Sequence, residues 1–155
     1  MIYTVSFFGH RYIDDSLKTA EKLEELILSL IAKNEYVDFL VGRNGEFDRL
    51  VSSTIHRIKR ETEADNVYHV LVLPYNSAEF ADNEDSFYEY YDNVEICPES
   101  FDAHFKRAIQ VRNQKMVDRS DFVVFYVKNS SGGALKTLRY AESINKDFIN
   151  IAEGV

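Results

Sequence analysis

A loop of small residues in the last quarter of the sequence has the composition of a phosphate-binding site. Ser130, Ser131, Gly132 and Gly133 follow an apolar run at 122–127 and precede a segment of helical periodicity. The first N–H groups of a helix have no partner inside the helix, and the helix dipole favours an anion beside them. The loop therefore predicts a phosphate site, although a tight strand-to-helix turn that needs glycine for its backbone angles has the same composition.

An arginine stands where the preceding helical segment requires an apolar side chain. Arg112 lies on a stripe whose other members are Phe101, Phe105, Ala108, Ile109 and Met116. A guanidinium that faces inward needs an anionic partner, because a buried and unpaired charge is costly. Arg112 is therefore predicted either to clamp a phosphate or ribose of a ligand or to form a structural ion pair with Asp118 or Asp121.

The loop at 42–48 carries residues suited to binding a sugar. It starts with Gly42, and its Asn44 and Gly45 favour a left-handed turn between a strand and a helix. Glu46 or Asp48 is predicted to accept hydrogen bonds from sugar hydroxyls, as acidic residues do in dinucleotide-binding folds. Capping of the following helix is the alternative role for either carboxylate.

A third glycine-bearing loop follows the first apolar run and contains Gly9, His10 and Arg11. The basic pair is predicted to contact an anion at the edge of the sheet, although such a pair is also ordinary on a surface loop. The loop lacks the G-x-G-x-x-G fingerprint, and no Gly-Lys-Ser/Thr of a P-loop follows any of the three loops.

The segment 79–95 combines seven acidic residues with five aromatic ones and contains no basic residue. Its aromatic rings predict a lid that stacks on a base, or a contact between subunits. A solvated acidic loop is the alternative interpretation of the same segment.

Five apolar runs must position these loops, and they alternate with helical segments. The runs predict strands at 3–8, 36–41, 67–73, 122–127 and 148–151. The first helical stripe consists of Leu17, Ala20, Leu23, Ile27, Leu30 and Ile31. This order predicts an α/β fold with a Rossmann-like, doubly wound, mainly parallel five-stranded sheet and helices on both faces. The three loops then meet at the carboxyl edge of the sheet, where such folds bind ligands.

Length, net charge and cysteine content indicate which classes of binding partner the chain can have. The 155 residues predict a single domain at 1–155, and the formal net charge of −8 argues against direct nucleic-acid binding and against anionic membranes. One cysteine, Cys97, and the absence of an export signal predict a cytoplasmic protein. The histidines show no zinc-type spacing, so neither a metal nor a cofactor is expected.

Three blocks of sequence resemble the SLOG superfamily, the Rossmann-like fold shared by the DNA-processing protein DprA and the Lonely Guy enzymes. The blocks are FFGHR, GRNGEFD and RNQKMVDRSDFVVFYVKNSSGGALKT, and the chain looks closest to a branch of small bacterial and phage proteins that includes YpsA. The matching positions in the last block are Arg112, Met116, Ser120, Asp121, Gly132, Gly133 and Thr137. The resemblance implies that these positions surround a nucleotide phosphate and ribose, and that the chain forms a homodimer.

The sequence departs from the Lonely Guy pattern at positions that matter for catalysis. Ser131 replaces a proline, Asn113 replaces a lysine, and Tyr140 stands where the catalytic glutamate of that family falls. The first hypothesis is therefore a module that senses or sequesters a nucleotide-derived, phosphate-bearing ligand. The second is a nucleoside 5′-monophosphate phosphoribohydrolase with Arg112 and Glu46 or Asp48 as catalytic groups. The third is a protein-interaction module that uses the segment 79–95.

Overall fold

Six parallel strands form one sheet in the computed structural model, which describes residues 1–100 and 103–152. The strands are β1 (Ile2–Gly9), β2 (Tyr36–Val41), β3 (Val67–Leu73), β4 (Asn93–Ile96), β5 (Phe122–Tyr126) and β6 (Phe148–Asn150). Their order across the sheet is β4-β3-β2-β1-β5-β6. The prediction of a Rossmann-like α/β sheet is confirmed, with six strands rather than five. The additional strand is β4, a short edge strand inside the acidic segment.

Helices connect successive strands. They are α1 (Ser16–Lys33), α2 (Glu46–Thr62), the short α3 (Ala78–Asp82) and α4 (Glu84–Tyr90), α5 (Phe105–Arg119) and α6 (Gly133–Ser143), with a 3₁₀ turn at Pro98–Ser100. Within the described ranges, no helix combines the length and the apolar character that crossing a bilayer requires.

The centre of the sheet is β1, which pairs with β2 on one side and β5 on the other. Val5 is in register with Phe39 of β2 and with Phe122 of β5. The chain runs outward from β1 to β4, then returns to the other side of β1 for β5 and β6. The direction of winding therefore changes between β1 and β5, and their carboxyl ends diverge into a crevice there.

Two apolar clusters cover the two faces of the sheet. Successive side chains of a strand point to opposite faces, so Phe7 joins the cluster with α1 and α2, and Phe8 joins the one with α5 and α6. Two predicted core positions are wrong: Leu17 is 80% exposed because Thr19 takes the inward position on α1, and Phe105 is 55% exposed. The predicted stripe member Phe101 lies outside the described residues.

The acidic segment is folded as α3, α4 and β4, and most of its aromatic rings are used in packing. Phe80, Phe87 and Tyr91 are buried in the cluster that includes α1 and α2. Arg43 binds this segment from outside it, with its guanidinium 4.6 Å from the Phe87 ring centroid and its Nε 2.7 Å from Glu79 Oε1. Three of the five rings that suggested a lid or a subunit contact thus contribute to the core.

Candidate functional site

A cavity of about 320 Å³ lies at the crevice between β1 and β5. It is enclosed by the carboxyl ends of β1 and β2, the segment after β3, one face of α5 and the N-terminus of α6. Seven predicted site residues line it: Gly9, Arg11, Gly42, Asn44, Asp48, Arg112 and Gly133. Seven others do not: His10, Gly45, Glu46, Ser130, Ser131, Gly132 and Thr137. Residues that line it without having been predicted as site residues are Phe7, Phe8, Tyr75, Phe105, Ile109, Asn113 and Ala134.

Arg112 is the central cation of the cavity. Its side chain is 3% exposed, Nη1 donates to the carbonyl oxygen of Val72 at 2.9 Å, and Nε donates to Oδ1 of Asn113 at 3.0 Å. Burial lowers the pKa of Arg112, and the nearby Asp48 carboxylate opposes that shift. A guanidinium carries five N–H groups. Its two recorded hydrogen bonds use two of them.

The structural ion pair considered for Arg112 does not form with either predicted aspartate. Asp121 accepts the backbone N–H of Thr4, and Asp118 accepts the hydroxyl of Tyr140. Across the described residues, no carboxylate lies within 4.0 Å of the Arg112 guanidinium. The charge is therefore buried next to a cavity without a direct counter-ion.

A relay of side chains joins Arg112 to the first turn of α6. Asn113, which holds Arg112 Nε, donates through Nδ2 to Thr137 Oγ1 at 3.1 Å. Thr137 in turn donates to the carbonyl oxygen of Gly133 at 3.0 Å. Thr137 is buried and does not line the cavity, so its role is to hold Asn113 through this hydrogen bond. The relay fixes the guanidinium and the helix N-terminus relative to each other.

The small-residue loop presents only its last residue to the cavity. Gly132 has φ +111° and ψ 172°, a backbone conformation that is essentially restricted to glycine. This conformation turns the chain into α6, whose first two residues, Gly133 and Ala134, line the cavity. The first N–H groups of a helix have no partner within the helix. Ser130 and Ser131 are exposed and do not line the cavity.

His10 supports this loop by hydrogen bonds to its backbone. Nε2 of His10 accepts the backbone N–H groups of Lys128 at 2.8 Å and Asn129 at 3.1 Å. An imidazole nitrogen that accepts two N–H groups carries no proton, and burial lowers the pKa of His10 in agreement with the neutral form. The residue ties the loop after β1 to the loop after β5.

The loop after β2 places one carboxylate in the cavity. Asp48 Oδ2 accepts the backbone N–H of Asn44 at 2.8 Å. Burial raises the pKa of Asp48, while the bond from Asn44 and the charge of Arg112 act in the opposite direction. A Cβ at Gly42 would lie 3.0 Å from Asp48 Oδ2 and 3.2 Å from Arg112 Nη1. The absence of a side chain at Gly42 thus lets both charged groups approach the same point.

Glu46 is engaged in the neighbouring loop instead. Its Oε2 accepts the N–H of Ile13 at 2.9 Å, and its own N–H donates to the carbonyl oxygen of Arg11 at 2.8 Å. Gly45, which precedes it, also packs against the backbone of Arg11. These contacts join the loop after β2 to the loop after β1.

One wall of the cavity is apolar and aromatic. Tyr75 follows β3, and Phe105 and Ile109 lie on α5. The helical stripe predicted from the sequence includes Phe105 and Ile109 but not Tyr75. The place of Tyr75 just after a strand is the sequence signal that marks it as a site residue. Among the residues that the structure describes, no group of three or more His, Cys, Asp or Glu side chains is arranged to hold a metal ion.

Comparison with known proteins supports the fold. No protein-family model matches the sequence, and no curated protein matches it. DNA processing protein A from Helicobacter pylori has a similar structure with a TM-score of 0.65 at 12% sequence identity, over 94% of this chain and 63% of that one. The DprA structure from Streptococcus pneumoniae also has a TM-score of 0.65, at 15% identity over 95% of this chain and 49% of that one.

These two structures show that the chain has a DprA-like, Rossmann-like α/β fold. The chain spans 63% and 49% of the lengths of the two proteins. The H. pylori protein is described as having a unique mode of binding single-stranded DNA. At 12% and 15% identity the likeness extends to the fold alone.

Proposed function

We propose that this chain binds a small, phosphate-bearing ligand derived from a nucleotide in the cavity at the β1–β5 crevice, and that it senses or sequesters that ligand. The observation that carries the proposal is the buried guanidinium of Arg112, which has two recorded hydrogen bonds and no carboxylate at ion-pair distance, although Asp48 lies nearby. A phosphate would supply a direct counter-charge through charge-assisted hydrogen bonds.

The N-terminus of α6 provides the second part of the proposed phosphate site. The relay through Asn113 and Thr137 holds the first turn of the helix beside Arg112. Free N–H groups at a helix N-terminus and the helix dipole both favour an anion. A cation and a helix N-terminus that face one cavity form a local anion site, even in a chain whose net charge is −8.

A phosphoribohydrolase is the second candidate, and Asp48 is the observation that favours it. Release of a base from a nucleoside monophosphate needs a carboxylate on the ribose or on the attacking water. Asp48 lines the cavity and has a raised pKa, whereas Glu46 is held by Ile13 and lies outside the cavity. In this candidate Asp48 acts on the sugar and Arg112 holds the phosphate.

Other partners enter the proposal as outcomes of the test. The H. pylori protein is described as binding single-stranded DNA, so the ligand panel must include a single-stranded oligonucleotide.

The third hypothesis, a protein-interaction module, concerns the acidic segment 79–95. Of the aromatic rings in that segment, Tyr88 is the one that lies mostly outside the core, with 51% of its surface exposed. Membership of the YpsA-like branch, a single domain at 1–155, homodimerisation and a cytoplasmic location remain predictions from the sequence.

Calorimetry and thermal shift with a ligand panel test the proposal. The panel contains nucleoside mono-, di- and cyclic phosphates, NAD, ADP-ribose and a single-stranded oligonucleotide. A ligand at about 100 times its dissociation constant adds roughly 2.7 kcal/mol to the free energy of unfolding, and about 2–4 °C in Tm follows from each kcal/mol. The reaction mixture of every ligand that binds is then examined for free base by chromatography.

Two arginine variants on the same helix locate the site. Arg112→Gln removes the cavity charge, and we expect it to abolish the shift. Arg119→Gln removes an equal charge from the same helix, where Arg119 pairs with Glu95 outside the cavity, and we expect it to leave the shift intact. A flat panel with folded protein contradicts the proposal, and so does a shift that survives Arg112→Gln. A response to the oligonucleotide alone assigns the cavity to nucleic acid instead.

A further inference from the structure

Two exposed aromatic side chains stand together at the mouth of the cavity. Tyr75 and Phe105 are 38% and 55% exposed, and their ring centroids are 6.4 Å apart with an interplanar angle of 64°. They come from different parts of the chain, the segment after β3 and the first residue of α5. Both line the cavity, so a ligand in the cavity would reduce the exposure of their apolar surface to water.

The α5 wall of the cavity changes from aromatic to cationic along the helix. Phe105, Ile109 and Arg112 are spaced i, i+4 and i+7, which places them on one face, and all three line the cavity. At a rise of 1.5 Å per residue, Phe105 and Arg112 are about 10 Å apart along the axis. An apolar surface and an anion site at opposite ends fit a molecule that has an aromatic ring at one end and a phosphate at the other.

The volume limits the size of that molecule. About 320 Å³ is at the lower end of the range for small-molecule sites, roughly 300–1,000 Å³. The cavity also has one buried cation, Arg112, beside one helix N-terminus, that of α6. Both features fit a ligand with one phosphate and one base.

We infer that Tyr75 and Phe105 form the surface that binds a nucleobase, and that the ligand is a nucleoside monophosphate. This inference rests on the proposed function, since it takes the phosphate to lie between Arg112 and the N-terminus of α6. The sugar then spans the middle of the cavity, next to Ile109 and within reach of Asp48. Stacking on a π-face explains how an acidic chain gains affinity for a nucleotide with a single buried cation.

The test compares AMP, GMP, CMP and UMP with ribose 5-phosphate, which has the phosphate and the sugar but no base. Isothermal calorimetry is carried out on the unmodified chain and on a Tyr75→Ala/Phe105→Ala double variant. Removal of a stacking partner weakens binding of a base about 5- to 150-fold. We expect that loss for at least one nucleoside monophosphate, with the affinity for ribose 5-phosphate unchanged.

Control variants distinguish the loss of base stacking from a general loss of folding or of affinity. Tyr88→Ala removes an equally exposed ring on α4, outside the cavity, and should leave every affinity unchanged. Tyr75→Phe in a chain that retains Phe105 should keep the preference for nucleotides, because it keeps the ring. The exposure of both rings predicts that the double variant folds, which an unchanged Tm verifies.

The outcomes distinguish this inference from the proposed function. Binding of nucleoside monophosphates that exceeds binding of ribose 5-phosphate, with the difference lost in the double variant, supports the inference. Equal binding of both classes, or a nucleotide preference that persists in the double variant, overturns it and leaves the phosphate site standing. If none of the five compounds binds the unmodified chain, the proposed function fails and this inference fails with it.

Discussion

Gly133→Asp should weaken phosphate binding strongly without weakening the fold. Gly133 is the first residue of α6 and lines the cavity. A Cβ there would meet its nearest neighbour, Gln110 Nε2, at 3.4 Å, which is ordinary contact, and the residue has no positive φ. A side chain therefore fits at Gly133, and a carboxylate would stand where the proposed phosphate binds.

The charge of the new carboxylate determines the size of the effect. Two unit negative charges about 5 Å apart repel by roughly 3 kcal/mol at an effective dielectric constant of 20. That energy weakens binding by about 100-fold or more. The same carboxylate stabilises the helix, because an acidic residue in the first turn interacts favourably with the dipole and replaces a poor helix former. We expect a gain of about 0.5–1 kcal/mol in the free energy of unfolding.

Calorimetry with the strongest ligand of the panel measures the first quantity, and urea denaturation measures the second. Gly133→Asn is the matched control, because asparagine has nearly the same shape as aspartate and carries no charge. We expect the asparagine variant to bind more tightly than the aspartate variant by most of the 100-fold factor. Steric exclusion accounts for whatever loss the two variants share.

Two results would refute this reasoning. If Gly133→Asp binds the ligand as tightly as the unmodified chain, the phosphate does not lie at the N-terminus of α6. If both variants lose binding equally, the side chain blocks the cavity by its size, and the electrostatic argument is wrong.

The structure also predicts the effects of changes at Gly132, His69 and Asp48. Gly132→Ala should lower the free energy of unfolding by about 1–3 kcal/mol, because φ at this position is +111°; an unchanged urea midpoint would contradict the strain. Burial lowers the pKa of His69 from its ordinary 6.5 to about 3, so below pH 6.5 the unfolded chain binds more protons than the folded one. Stability should therefore fall by about 2 kcal/mol between pH 7 and pH 5, and a slope equally steep in His69→Gln would remove His69 as its source. If the ligand panel reveals base release, Asp48→Asn should slow it by about 10²–10⁴-fold while binding persists; turnover unaffected by Asp48→Asn would exclude Asp48 as the acid or base.

Most of the sheet could be predicted from the sequence because long apolar runs mark buried parallel strands. β4 was missed because it is a four-residue edge strand whose Asn93 and Ile96 are exposed, so its pattern is not apolar. The helices α3 and α4 have five and seven residues, too few for a periodic stripe. On α1, the inward position of Thr19 is invisible to a pattern that counts apolar residues, and this explains the error at Leu17.

In the candidate site, too, some residues could be predicted from the sequence and others could not. The anomalous position of Arg112 and the glycine loop could be found because each breaks a local pattern. The relay through Asn113 and Thr137 depends on how α5 packs against α6, which no local pattern encodes. Tyr75 and Phe105 lie 30 positions apart in the sequence, and their pairing arises only when α5 returns across the sheet edge after β4.

The central place of β1 has a consequence for the synthesis of the chain. During translation β1 and β2 emerge early and can pair, but β5, which covers the other edge of β1, begins only at Phe122. An incomplete chain therefore carries an open edge at a central strand of the sheet, the kind of template on which strands of other molecules assemble. It also lacks α6, so the proposed anion site is completed last. A chain truncated before β5 would leave that edge of β1 open and would lack α6, so we expect it to aggregate and to lack the proposed anion site.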